Sequence, residues 1–194
     1  MILNALPPAP AVFLDRDGTL IEEVGYLRAP DEVDLYPWTI DAVRAFNRAG
    51  LPVIVITNQS GIARGLLTEA MLEEVHRHLS SLLEAGGARI DAYYYCPHHP
   101  AGSVSAYTRS CDCRKPGCAL INQASADLNL DPTRSFVVGD KWIDVGLARS
   151  AGARGILVRT GYGADEEARP QPDLSADMVV DNLVEAASWI LRQC

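Results

Sequence analysis

The sequence predicts an α/β fold, namely a Rossmann-like, mostly parallel sheet with helices on both faces. Short apolar runs alternate with longer amphipathic runs along the 194-residue chain, and this alternation is typical of successive strand–helix–strand units. Apolar residues make up 48% of the chain, which is enough to cover a sheet on both faces. We expect one domain over residues 1–194 and no large cap domain, because helices already occupy the segments between the strands.

Each predicted strand is a short apolar run rich in β-branched or aromatic residues, which suit a sheet that is buried on both faces. Five runs meet this description: residues 11–14, 53–56, 92–95, 136–138 and 156–158. A sixth strand, residues 178–180, follows a predicted surface loop at residues 170–173. Because crossovers between parallel strands are right-handed, the loops after the strands lie along one edge, where open α/β sheets bind ligands.

The predicted helices have apolar residues at intervals of three and four positions, which places these residues on one face of each helix. Four segments show this pattern: residues 39–49, 68–85, 120–128 and 143–150. Gly50 and Gly152 stand where helix C-terminal stops are expected. A last helix is predicted after the sixth strand, because Asn182 can cap it together with Glu185 three residues later.

Two acids, Asp15 and Asp17, follow the first strand in the sequence AVFLDRDGTL. Two ionised carboxylates about 4 Å apart repel by about 4 kcal/mol at an effective dielectric of about 20. A shared proton or a hard cation such as Mg²⁺ would relieve this repulsion, whereas a solvated turn is the alternative interpretation. An EF-hand is excluded by its spacing, because Leu20 stands where its glycine belongs and Tyr26 where its bidentate acid belongs.

Residues that suit an anion follow the second predicted strand. They are a run of polar side chains and one cation: Thr57, Asn58, Gln59, Ser60 and Arg64. Glycine-containing loops and helix starts bind anions through their backbone amides. An ordinary polar turn has the same composition, so this segment alone leaves both interpretations open.

Two further groups of charged residues are expected near the same sheet edge. Arg114 and Lys115 precede the third long helix and could face an anion, although basic pairs are usually solvated. Asp140, Lys141 and Asp144 follow the fourth strand, and the two acids would share a face if the helix begins there. Together with the two acids after the first strand they would place four acids at one edge, where a metal ion and a lysine would reduce the repulsion.

Four candidate zinc ligands occur in two close pairs. Cys96 and His98 form the first pair, and Cys111 and Cys113 form the second. Two ligand pairs separated by a loop match a closed tetrahedral Zn²⁺ site, which would be structural because four protein ligands leave no open position. His99 is an alternative to His98. A disulfide set is less expected in the reducing cytosol.

These motifs resemble those of the haloacid dehalogenase-like phosphatases in both order and placement. The four family motifs correspond to DRDGT at residues 15–19, TN at residues 57–58, Lys115 and GDKWID at residues 139–144. TNQSGIARG, CDCRKP and LVRTG extend the likeness to the branch that contains heptose bisphosphate phosphatases and histidinol-phosphate phosphatases. It covers residues 12–163. One departure is the sequence after Pro116, where many relatives have a further Pro-Gly.

The resemblance implies hydrolysis of a phosphomonoester through an aspartyl-phosphate. Asp15 would be the nucleophile. Asp17 would protonate the leaving alcohol and then deprotonate the attacking water, and a crowded acidic site could raise the pKa that it needs for the first role. Thr57, Asn58 and Lys115 would hold the transferring phosphoryl oxygens.

The resemblance also implies ligands for two metals and contacts for the substrate. Mg²⁺ would be bound by the Asp15 carboxylate, the backbone carbonyl of Asp17 and Asp140, while Asp144 would orient Lys115 or support the metal. A structural Zn²⁺ would be held within a loop at about residues 96–113 by Cys96, His98, Cys111 and Cys113. The candidate substrate contacts are Gln59, Ser60, Arg64, Arg114 and Lys141.

The expected substrate is a small phosphorylated sugar. The 7-phosphate of D-glycero-D-manno-heptose 1,7-bisphosphate is the first choice implied by the resemblance, and histidinol phosphate is the alternative. An inactive phosphosugar-binding protein is the alternative from a different class. A net charge of −8 argues against a nucleic-acid partner. No basic segment precedes the first apolar stretch and no run approaches the length of a membrane span, so we expect a cytoplasmic protein and a monomer.

Overall fold

Six parallel strands form a central sheet in the order β3-β2-β1-β4-β5-β6. The computed structural model describes residues 7–194, so residues 1–6 of the expected domain lie outside the described residues. The strands are β1 (Val12–Leu14), β2 (Val53–Asn58), β3 (Ala92–Cys96), β4 (Phe136–Gly139), β5 (Arg154–Val158) and β6 (Met178–Val180). Every neighbouring pair is parallel. The predicted Rossmann-like architecture is confirmed, and residues 7–194 contain no second sheet that could form a large cap.

The six predicted strands are all present, and the differences at their ends bear on the site. β2 is longer than predicted and ends at Asn58 rather than at residue 56. Asn58 pairs in register with Cys96, the last residue of β3. The two polar residues expected in the loop after β2 therefore belong to the strand itself, and the first candidate zinc ligand lies beside them.

Seven α-helices occur in the described part of the chain: α1 (Thr39–Arg48), α2 (Ser60–Ala63), α3 (Glu69–Ala85), α4 (Ala119–Leu128), α5 (Trp142–Ala151), α6 (Gly163–Glu167) and α7 (Leu183–Ile190). The four long predicted helices end within one residue of their expected bounds. Asn182 caps α7 as predicted, because its side chain accepts from the N–H groups of Val184 and Glu185. α2 and α6 were not predicted, since a helix of one turn is too short to show a periodic pattern.

Apolar side chains cover both faces of the sheet because successive strand residues point to opposite sides. On one face the sheet packs against α1, α3 and α7 through residues such as Leu14 and Phe46. On the other it packs against α4 and α5 through residues such as Phe13 and Ile121. The carboxyl ends of β1, β2 and β4 are thus held by a core on each side. No helix within residues 7–194 is long and apolar enough to cross a membrane.

Candidate active site

Three buried acids meet at the carboxyl ends of β1 and β4. Asp15 follows β1, Asp140 follows β4, and Asp144 lies in the first turn of α5. One ligand oxygen from each of the three lies within 4.8 Å of the others, and the residues are only 6%, 0% and 1% exposed. Buried carboxylates at this separation are unstable without compensating positive charge. The site therefore requires cations among these acids.

Lys115 supplies one of the required positive charges. Its Nζ lies 2.8 Å from Oδ1 of Asp15 and 2.6 Å from Oδ1 of Asp144. Burial lowers the pKa of Lys115, but the two acids outweigh this effect and the pKa is raised overall. The ammonium therefore stays charged, and Asp144 holds it against Asp15.

Asp140 has one carboxylate oxygen that accepts a hydrogen bond and one that forms a longer ion pair with Nζ of Lys141, at 3.7 Å. Its Oδ2 accepts from the N–H of Tyr162 at 2.9 Å, whereas its buried Oδ1 accepts no hydrogen bond from residues 7–194. Burial, followed by the charge of Asp15, raises the pKa of Asp140 to about 8. A buried carboxylate oxygen without a hydrogen-bond donor, close to a second carboxylate, suits a hard divalent cation. These acids therefore fit Mg²⁺.

Two glycines leave room for Asp140 at this position. A Cβ added to Gly18 would lie 2.3 Å from Oδ2 of Asp140, and one added to Gly161 would lie 2.4 Å from the same atom. Both glycines also have positive φ angles, of +79° and +54°, which side chains rarely allow. Any larger residue at either position would displace this acid.

Asp140 and Asp144 do not share a helix face, because the condition for it, a helix that begins at Asp140, is not met. Asp140 precedes the helix, which begins at Trp142 with Lys141 as its N-cap. The Oδ2 of Asp144 instead accepts from the N–H of Lys141 at 3.1 Å. This capping arrangement turns the side chain back toward the sheet edge, and it brings the two acids together.

Asp17 lines the same cavity as Asp15, as expected for an acid at this sheet edge, but it is not one of the three acids whose carboxylates meet. Its carboxylate accepts from Arg16 at 3.1, 2.9 and 3.0 Å, and its Oδ2 also accepts from Nε2 of Gln59 at 3.0 Å. Burial raises the pKa of Asp17, but Arg16 and the hydrogen bonds lower it overall. The expectation of a raised pKa is therefore wrong for this arrangement, because the acid is paired with a neighbouring cation.

The polar residues at the end of β2 form hydrogen bonds to other residues of the site. Asn58 Oδ1 accepts from the backbone N–H of Lys115 at 3.0 Å, and its Nδ2 donates to the carbonyl of Lys115 at 3.3 Å. Gln59 donates to Thr57 Oγ1 at 2.8 Å as well as to Asp17. Asn58 thus fixes the Lys115 backbone, and Gln59 connects two site residues instead of lining the main cavity as a substrate contact.

An open cavity of about 330 Å³ lies beside these residues. Its lining includes most of the predicted site residues: Asp15, Asp17, Thr57, Asn58, Ser60, Arg114, Lys115 and Lys141. Arg64 does not line it, and is exposed beside an adjacent hollow that shares Tyr26 with the main cavity. Glu23, Tyr26 and Tyr162 also line the cavity. Sequence reasoning missed these three, which stand in no motif with a recognisable spacing.

The four predicted zinc ligands meet at the end of β3. The sulfur atoms of Cys96, Cys111 and Cys113 lie 3.0 to 3.5 Å apart. Nδ1 of His98 lies 3.3 Å from Sγ of Cys113. All three cysteines are free thiols. Such a set of sulfur and nitrogen atoms fits a tetrahedral Zn²⁺ site. The alternative ligand, His99, instead accepts from the N–H of Ala101 at 3.0 Å.

His76 of α3 lies behind Arg16. Nε2 of His76 is 3.3 Å from Nη1 of Arg16. Burial, with a further contribution from the charge of Arg16, lowers the pKa of His76 from 6.5 to about 3. The folded protein therefore keeps this ring neutral where the unfolded chain would protonate it.

We expect His76→Gln to make the stability of the protein less sensitive to acid. In the wild type, stability falls as the pH drops from about 6.5 toward 3, by up to about 1.4 kcal/mol per pH unit for this one ring. Glutamine does not titrate, so the slope of the free energy of unfolding against pH should decrease by about this amount. Urea unfolding at several pH values measures both slopes, with His78→Gln on the same helix as the control. Equal slopes in wild type and His76→Gln would contradict the prediction.

Two family models match the chain. One, described as HAD-hydrolase-like, matches residues 112–186, and the other, described as polynucleotide kinase 3 phosphatase, matches residues 11–147. The D-glycero-beta-D-manno-heptose-1,7-bisphosphate 7-phosphatase of Salmonella typhi is 40% identical over 185 residues, which are 95% of this chain and 96% of that protein. The D-glycero-D-manno-heptose-1,7-bisphosphate 7-phosphatase of Thermosynechococcus vestitus is 42% identical over 94% of this chain and 96% of its own.

A solved structure shows the same fold over almost the whole of both chains. It is the D,D-heptose 1,7-bisphosphate phosphatase of B. bronchiseptica complexed with magnesium and phosphate, with a TM-score of 0.85 and 30% identity over 95% of this chain and 99% of that one. The comparisons and the motifs agree on one enzyme class. This protein belongs to the haloacid dehalogenase-like phosphatases.

Proposed function

We propose that this phosphatase removes the 7-phosphate of D-glycero-D-manno-heptose 1,7-bisphosphate and requires Mg²⁺. The relatives that match nearly all of the chain are named for this substrate. The main structural support is the position of Asp15, which lies against Lys115 and lines a cavity that Arg114 and Lys141 also line. A phosphate dianion and the Asp15 carboxylate repel each other. Cationic side chains around the carboxylate would offset this repulsion and attract the phosphate to the nucleophile.

Asp15 would attack the phosphorus atom of the substrate. Its Oδ1 accepts from the backbone N–H of Arg16 at 2.7 Å and lies 2.8 Å from Nζ of Lys115, so the carboxylate has a fixed orientation. The new bond between Asp15 and phosphorus forms as the bond to the sugar oxygen breaks. That oxygen takes a proton from Asp17, which must first bind one from solvent, because its pairing with Arg16 favours the ionised form. Water then attacks phosphorus, Asp17 takes its proton, and the bond to Asp15 breaks to release phosphate.

The residues proposed to hold Mg²⁺ are Asp15, Asp140 and the backbone carbonyl of Asp17. When bound there, Mg²⁺ would reduce the repulsion between the carboxylates and the phosphate. The solved relative is complexed with magnesium and phosphate, which supports Mg²⁺ as the ion. Zn²⁺ would be held by the four ligands at the end of β3 in a closed, structural site.

The second phosphate and the sugar would contact the outer part of the cavity. Arg114 lines the cavity beside Lys115 and is the first candidate for the second phosphate. Arg64 lies in the neighbouring hollow, so it is a candidate only for a group that extends past Tyr26. Tyr26 and Tyr162 are 40% and 45% exposed at the cavity, and their rings offer apolar surface to the carbon atoms of a sugar.

Parallel assays with three substrates test the proposal. We expect the highest kcat/KM with heptose bisphosphate, a lower value with histidinol phosphate, and a requirement for Mg²⁺ with both. A nucleoside 3′-phosphate is the third substrate, because one matching family model describes a polynucleotide phosphatase; a chain with net charge −8 should use it poorly. A higher kcat/KM for histidinol phosphate would favour that alternative. No phosphate release from any substrate would favour an inactive binding protein.

A further inference from the structure

Two buried side chains connect Asp17 to helix α3. Arg16 contacts the Asp17 carboxylate at 3.1, 2.9 and 3.0 Å, and its Nη1 lies 3.3 Å from Nε2 of His76. Arg16 is 1% exposed and His76 is 7% exposed. Because water has little access to either side chain, each depends on these protein contacts to satisfy its polar atoms.

The contact between Arg16 and His76 has a fixed direction. A guanidinium can only donate hydrogen bonds, so Nε2 of His76 must accept and the neutral ring carries its proton on Nδ1. The ring stacks on Tyr93, with centroids 4.5 Å apart, and the hydroxyl of Tyr93 lies 2.8 Å from Oγ of Ser80. His76 is therefore a fixed acceptor that holds the guanidinium of Arg16 on the side away from Asp17.

We propose that His76 is a positioning residue, which holds Arg16 against Asp17 and thereby fixes the carboxylate that takes a proton from the hydrolytic water. This inference rests on the proposed function. In the hydrolysis step the water oxygen bonds to phosphorus, the bond from phosphorus to Asp15 breaks, and the proton moves to Asp17. The contacts from the Arg16 guanidinium fix the orientation of the Asp17 carboxylate, which lines the main cavity.

With a suitable substrate, formation of the aspartyl-phosphate does not depend on the contact between His76 and Arg16. With p-nitrophenyl phosphate the leaving group departs as a stable anion and needs no proton from Asp17. Loss of the acceptor at position 76 should therefore leave formation of the aspartyl-phosphate almost unchanged. Only its hydrolysis should become slower.

Stopped-flow measurement of p-nitrophenol release by His76→Leu tests the proposal. We expect a burst of product at the wild-type rate, with an amplitude close to one per enzyme molecule, followed by a steady-state rate about tenfold below that of wild type, the size of effect typical for a lost hydrogen bond to a charged group. His76→Gln should restore the steady-state rate, because its amide oxygen can accept from Arg16. His78→Leu, on the same helix, is the matched control and should behave as wild type.

Three outcomes would overturn the proposal: a steady-state rate equal to wild type, a reduced rate without a burst, or a burst that is itself slowed. If His76→Leu does not fold, His76→Asn replaces it, because its shorter side chain cannot reach Arg16. Failure of the proposed function is a separate result. In that case the wild-type protein itself would prefer histidinol phosphate to heptose bisphosphate or would release no phosphate from any phosphate ester.

Discussion

Asp15→Asn is expected to abolish phosphate release while the protein remains folded. An amide cannot form the aspartyl-phosphate, and loss of a nucleophile in hydrolases that work through a covalent intermediate costs about 10⁴-fold or more in kcat. The fold should persist because Lys115 retains its second partner, Asp144, at 2.6 Å. Phosphate release in the presence of Mg²⁺ and thermal unfolding measure the two expectations separately.

Asp31→Asn is a suitable control for this substitution. Asp31 is an exposed acid in a short 3-10 helix, Pro30–Glu32, and it does not line the main cavity. Its replacement should leave both activity and stability unchanged. If Asp15→Asn kept a substantial part of the wild-type rate, the nucleophile would have to be another group.

Removal of zinc is expected to raise KM strongly and to change kcat much less. Arg114 directly follows the ligand Cys113, and its Nη1 donates to the carbonyl of His98 at 3.3 Å, so its position depends on the loop. Lys115 has independent support from Asn58 and from two acids. Loss of one charge-assisted contact to phosphate corresponds to about a tenfold to hundredfold rise in KM.

Cys111→Ser, treated with a chelator and then returned to excess Mg²⁺, provides a zinc-free enzyme for this measurement. Metal analysis must show that zinc is absent, and thermal unfolding should show a lower midpoint, because structural zinc sites contribute about 10 to 16 kcal/mol of binding free energy. Cys118→Ser is the control, since this free cysteine lies outside the four-ligand cluster. Unchanged kinetics in a protein shown to lack zinc would contradict the assigned role of the loop.

The sequence was sufficient to predict the sheet and which residues approach its carboxyl edge. Periodicity identified the strands and long helices, and the common edge of parallel strands then predicted that residues following β1 and β4 would meet. Asp15, Asp140 and Asp144 do so. The grouping of the four candidate zinc ligands could likewise be predicted, because their chemistry is specific and their spacing in the chain is short.

The partners of individual side chains could not be predicted in the same way. The orientation of Asp17 depends on Arg16, and the position of Arg16 depends on His76, which is 60 residues away in the chain. In the sequence, His76 is one of many residues on a long amphipathic helix, and nothing marks it as an acceptor. The pairing of Asn58 with the Lys115 backbone could likewise not be predicted, because it is visible only once the end of β2 and the segment before α4 are placed together.

In the proposed reaction, phosphate is transferred to Asp15 before it reaches water. The stereochemical course at phosphorus tests this most directly. The substrate carries a thiophosphoryl group whose phosphorus is made chiral by one sulfur atom and different isotopes of oxygen. Two successive in-line displacements, first by Asp15 and then by water, predict retention of configuration in the released thiophosphate. Inversion would mean that water attacks the substrate directly, and it would contradict the account.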